Sequence, residues 1–146
     1  MIVIATIDGV QIGLETDPVE KVSWLGKLAC ESDGRGPSHG DPCYQPDTSL
    51  HRGGKPLDAD TDCFIAIPPI IRLKTKGRCM GCRGTATNIL TGVKIDIFVG
   101  DEGPPDKIGE GSCATNRGLG FDPSPLHGGT SEHIVYIEIY PGQMAV

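Results

Sequence analysis

VKIDIFVG (Val93–Gly100), followed by DEGPPDKIGEGSCATNRGL (Asp101–Leu119), joins an apolar segment to a Gly/Pro-rich run that carries two separated acids. The first segment is apolar and alternating, which predicts a strand ending at Gly100. The residues from Glu110 onward predict a short helix closed by Gly118 or Gly120. Between them Gly100, Gly103, Gly109 and Gly111 bracket two acids, Asp101 and Glu110, and Pro104 and Pro105 stiffen the connection. Glycine beside a carboxylate lets a ligand or another backbone come close, and proline limits how far the loop wanders. Two readings of the acids follow. Either they face each other across the loop as an acid/base pair, or Asp101 is a turn former and Glu110 a helix-start residue favoured by the macrodipole.

Working outward, Met1–Glu15 predicts two strands around an Asp8-Gly9 turn, and Glu15–Glu20 a turn-rich connection. Lys21–Cys30 predicts a strand with Val22, Trp24, Gly26 and Leu28 on one side. Residues 31–61 read as a long irregular region, of the kind that is functional or disordered inside a compact domain. Cys63–Ile67 predicts a buried strand ended by Pro68-Pro69, with further strands at Ile70–Lys74, Cys79–Asn88 and Val93–Val99. His133–Tyr140 closes the sheet, Ile134, Tyr136 and Glu138 facing one way and Val135, Ile137 and Ile139 the other. With 21 glycines and 12 prolines separating short β-branched runs, the expectation is a mainly β, small single-domain barrel over residues 1–146. Its one short helix follows the Asp101–Glu110 loop.

Composition narrows the function classes. A net charge of −6 with no basic stripe argues against a nucleic-acid partner and suits a cationic ligand, although solubility alone also explains it. No apolar run approaches membrane-span length, so no membrane partner is expected. The first residues lack a basic region and a small-residue cleavage site, and so do not read as a signal peptide. Six cysteines, at 30, 43, 63, 79, 82 and 113, leave fifteen disulfide connectivities open or serve as buried small hydrophobes. Cys79-Met-Gly-Cys82 is a lone pair with no second pair to complete a metal site, and no metal is expected there. The histidines at 39, 51, 127 and 133 show no two-ligand helical spacing and read as surface or loop residues.

Gly100-Asp101-Glu102-Gly103-Pro104-Pro105 with Ile108-Gly109-Glu110-Gly111-Ser112 resembles the "GD…GP…IGE.S" signature of the glycoside hydrolase family 75 chitosanases. A second block, Gly40–Leu50, and a third, Gly54–Asp60 followed by Phe64–Pro68, are similar to that family's segments in the same order. The resemblance spans roughly residues 28 to 130. It implies that Asp101 and Glu110 are the catalytic acids. Two departures stand out: the loop between the acids is shorter than in fungal members, and the family's Asp-rich motif remains only as Glu31-Ser32-Asp33-Gly34. A double-psi type of barrel is expected by analogy with other inverting endoglucanases that use paired acids.

The expected activity is endo-acting hydrolysis of β-1,4-linked glucosamine polymers with inversion, Glu110 as general acid and Asp101 as general base, with no cofactor. Tyr44 and Gln45 are candidate sugar contacts, Tyr44 alternatively a pin for its loop. Asp60 and Asp62 are candidates for a cationic subsite or for strand-edge solvation, and Ser112 for bonding a catalytic carboxylate or capping the helix. Two alternatives remain: a peptidoglycan-directed glycosidase of phage or effector type, and a non-catalytic carbohydrate-binding barrel. A monomer outside the cell or in its envelope is the expected setting, by a removed signal or another export route.

Overall fold

The computed structural model describes residues 1–146, with 45% of them in strands and 8% in helices. In chain order the strands are β1 (Ile2–Ile7), β2 (Val10–Glu15), β3 (Lys21–Glu31), β4 (His51–Arg52), β5 (Lys55–Pro56) and β6 (Phe64–Ile67). Helix α1 (Pro69–Lys74) follows, then β7 (Cys82–Asn88), β8 (Lys94–Glu102), β9 (Glu110–Ser112), α2 (Cys113–Gly118) and β10 (Thr130–Met144). Six of the strands close into a barrel in the order β3-β10-β7-β8-β6-β9, the ring completed by β9 returning to β3. Strands β3–β9 and β6–β8 pair in parallel, and the other contacts of the ring are antiparallel. Closure leaves the ring without an exposed edge. The hairpin β1–β2 is appended to the start of β3, on the edge whose far end carries β9.

The alternation in the sequence sets the inside of the barrel. Val22, Trp24 and Leu28 of β3 are buried, as are Val135, Ile137 and Ile139 of β10, Ile97 and Val99 of β8, and Ile65 and Ile67 of β6. The opposite face of β3 turns Lys27, Ala29 and Glu31 towards a cleft on the outside of the barrel wall.

Three local expectations need correction. Residues 70–74 are helical, because Pro68-Pro69 pre-sets the first turn and only one apolar side of the segment, Ile71, enters the core while Leu73 stays exposed. The chain therefore has two short helices, of which α2 is the one beside the loop of the two acids. The region 31–61 contains a small hairpin, β4–β5, turned by Gly53 and Gly54 at positive φ. Strand β8 does not end at Gly100 but continues through Asp101 to Glu102, and Glu110 lies on strand β9, not at a helix start. The helix begins at Cys113, capped by Ser112, whose side chain accepts from the Thr115 amide.

Candidate active site

Ala66 of β6 organises the site. It is the register partner of Asp101 on β8 and of Glu110 on β9, so the two acids flank it on adjacent strands. Two inter-strand steps of about 4.8 Å hold their Cα atoms at most about 10 Å apart. Register partners project from the same face of a sheet, and both acids line one cleft of about 630 Å³. Gly100 makes this possible. The pairing passes from Ile65↔Val99 directly to Ala66↔Asp101, so Gly100 is the extra residue of a bulge that turns Asp101. A Cβ at Gly100 would lie 2.5 Å from Leu57 Cδ1 and 2.8 Å from Phe64 Cβ, a space only glycine fits.

The long segment after β3 is built onto Asp101. The Ser49 amide and hydroxyl both donate to Asp101 Oδ1 at 3.0 Å, and the Glu102 amide donates to the same oxygen at 3.0 Å. The Leu50 amide donates to the carbonyl of Gly100 at 3.0 Å. All three donors go to Oδ1, which leaves Oδ2 without a protein donor. Burial pushes the Asp101 carboxyl above its ordinary range, against the pull of the Ser49 and Glu102 donors.

Glu110 stands between two alanines, Ala66 on β6 and Ala29 on β3, whose small side chains leave its carboxyl room. Gly103 passes close by, where a Cβ would sit 3.5 Å from Glu110 Oε1. Gly109, at φ +92°, lets the chain turn into β9, since a Cβ there would meet the Lys27 carbonyl at 2.2 Å.

Two further acids join them. Glu31 follows Ala29 on the same face of β3, and one oxygen each of Glu31, Asp33 and Asp101 lie within 4.8 Å of one another. Glu31 is only 7% exposed, and its Oε1 has no hydrogen-bond partner. Its carboxyl is pushed well up, first by burial and then by the charges of Asp101, Asp33 and Glu110. Asp33 is raised to about 6, chiefly by burial, although the Gln45 amide donates to its Oδ1 at 2.8 Å. The cleft as a whole carries six carboxylates (Glu31, Asp33, Asp41, Asp101, Glu102, Glu110) against Lys27 and Lys107. Glu31 and Asp33 entered the sequence reading only as the remnant of an Asp-rich motif. The available signal was the period of β3, which puts Glu31 on the side opposite Trp24 and Leu28.

The other candidates fall in different places. Gln45 lines the cleft. Tyr44 does not: its hydroxyl donates to the Gly34 carbonyl at 2.5 Å and lies 3.1 Å from that of Gly36, pinning the loop. Asp60 lines a neighbouring hollow with Arg117 and Asp122, where its carboxylate holds His39 at 2.8 Å. Asp62 pairs with Arg52 and accepts from the Asp58 amide at 2.9 Å, outside the cleft. Ser112 is fully buried, donating to the Asp62 carbonyl at 2.7 Å and accepting from the Phe64 and Thr115 amides. Its work is the cap. Cys79 and Cys82 are both fully buried, one on each side of a turn in the core.

No protein-family model matches this chain, and no curated protein is significantly similar to it. No helix is long and apolar enough to cross a membrane.

Proposed function

We propose that the protein is an inverting glycoside hydrolase that cleaves β-1,4-linked glucosamine polymers within the chain. The observation that carries this reading is the shared register at Ala66, which opens Asp101 and Glu110 into one cleft from strands on either side of β6. Inverting hydrolysis needs two carboxyl groups roughly 6.5–9.5 Å apart, with room for a water between base and anomeric carbon. Two strand spacings between the Cα atoms leave room for that gap.

Asp101 is the general base. Its Oδ1 is fixed by three donors, so Oδ2 is held in one orientation with its lone pairs free to take a proton from water. Glu110 is the general acid, half-buried between two alanines and free to reach a glycosidic oxygen lying along the cleft. Glu110 lies on strand β9, ahead of the capped start of α2. The excess of carboxylates over lysines favours a polymer with an ammonium on each sugar.

The test is Asp101→Asn and Glu110→Gln, with chitosan cleavage followed by reducing ends and the anomer of the first product read by proton NMR. Each variant is expected to lose about 10²–10⁴-fold in rate, the usual worth of an acid/base group. Both should keep the parent's melting temperature, and at least one should still bind an oligosaccharide. Purified peptidoglycan serves as the competing substrate, read by turbidity. Parent-like turnover by both variants would overturn the acid-pair mechanism, and a retained anomer would overturn inversion.

A further inference from the structure

We infer that Cys30 and Cys113 are a dithiol built to close into a disulfide, a covalent cross-link at the base of the cleft. Of the six cysteines, all present as thiols, only these two have their sulfurs in contact, at 3.4 Å. They are 83 positions apart in sequence, so only the barrel brings them together. The parallel pairing of β3 with β9 sets Cys30 opposite Gly111, and Cys113 follows two residues later as the first residue of α2. A disulfide needs its sulfurs at about 2.0 Å, closer than the 3.4 Å that separates the two thiols.

Cys30 is half-buried at the border of the cleft and packs with the fully buried Cys113 in the cluster of Leu57, Ala59 and Phe64. The Cys113 sulfur also lies 3.5 Å from the Glu31 carbonyl, and a nitrogen of His39 and an oxygen of Asp60 are within 4.8 Å of it. The hydrogen bond from Cys30, helped by the charges of His39 and Arg117, pulls the Cys113 thiol below its ordinary value. The same contact, with burial, holds the Cys30 thiol up.

With a low-molecular-weight disulfide as oxidant, one of the two thiols loses its proton and attacks one sulfur of the oxidant, forming a mixed disulfide and expelling one thiolate. The other then loses its proton and attacks the protein sulfur of that mixed disulfide, forming the Cys30–Cys113 bond and expelling the second thiolate. The two protein thiols are oxidised, the external disulfide is reduced to two thiols, and the two protein protons end on those leaving groups. The bond ties the strand of Glu31 to the segment that carries Glu110. No other cysteine has such a partner: Cys79 and Cys82 are buried without a sulfur contact, Cys43 is exposed and Cys63 half-buried.

The experiment treats the folded, reduced chain with oxidised glutathione. Remaining thiols are then alkylated under denaturing conditions, and intact mass and peptide maps are recorded. The expected product is lighter than the reduced chain by the two lost hydrogens before alkylation, carries four alkylated cysteines out of six after it, and yields one cross-linked peptide joining Cys30 to Cys113. Its melting temperature should exceed that of the reduced form by several degrees, since the bond closes a long loop in the unfolded chain. Cys30→Ser and Cys113→Ser should each remove both the cross-link and the shift. Six alkylated cysteines, or a cross-link between any other pair, would overturn the inference. So would stoichiometric zinc in the reduced protein with Cys113 shielded from alkylation, which would make His39, Asp60 and Cys113 metal ligands instead.

Discussion

Glu31 concentrates the electrostatic tension of the cleft in a single side chain. A carboxyl at 7% exposure, beside Asp33 and Asp101, has one oxygen that no donor reaches. Its folded-state value lies above the ordinary 4.5, so between those values the folded chain binds more protons than the unfolded one. Stability therefore falls as the pH rises through that window, and the full penalty applies above it. Asp33 acts in the same direction between 3.8 and about 6. Glu31→Gln keeps the shape and removes the ionisation, so its melting temperature should exceed the parent's at pH 8 and the two should converge near pH 4. Melting curves across that range check this. A variant that melts at or below the parent at pH 8 would mean that Glu31 is ionised and compensated in the fold.

At the scale of the element, the bulge in β8 decides whether there is a site. Asp96 and Ile97 follow the plain alternation of the strand, but one further regular step past Val99 would place Gly100, not Asp101, opposite Ala66. The extra residue has to be glycine, because Leu57 and Phe64 occupy the space of a Cβ. Gly100→Ala should cost about 1–3 kcal/mol, the range for overpacking a filled core, measured by urea denaturation. The rate should fall by more than that stability loss explains, because the strain is relieved by moving Asp101 away from Ser49. If the variant is destabilised yet cleaves chitosan at the parent's rate, Asp101 does not depend on the bulge for its aim.

Across the whole molecule, the closed ring draws acids from three strands and from the loop residues Asp33 and Asp41 into one cleft. For a cationic polymer this attraction is long-range and screened by salt, with a Debye length falling from about 10 Å at 0.1 M to about 3 Å at 1 M. The Michaelis constant for chitosan should therefore rise several-fold across that span while kcat changes little. Binding of an N-acetylated, uncharged oligomer should not follow. A salt-independent constant would argue that the carboxylates serve the chemistry and not the capture of substrate.

The amino-acid pattern carried the strand-rich barrel in runs of apolar residues alternating with period two between glycine and proline breaks, as in Lys21–Cys30 and His133–Tyr140. It also singled out Asp101 and Glu110, through the glycines and prolines that surround them. It misassigned residues 70–74, because an apolar run of that length suits a strand or a single helical turn, and the preceding Pro68-Pro69 decides for the helix. It placed Glu110 on the wrong element, because three residues of strand before a capped helix leave no periodic trace. Only the tertiary structure decided that Ser49 holds Asp101, that Glu31 and Asp33 crowd the same opening, and that Cys30 meets Cys113. Those contacts span 52, 70 and 83 positions. Each joins segments far apart in the chain that the folded barrel brings together and no local pattern encodes.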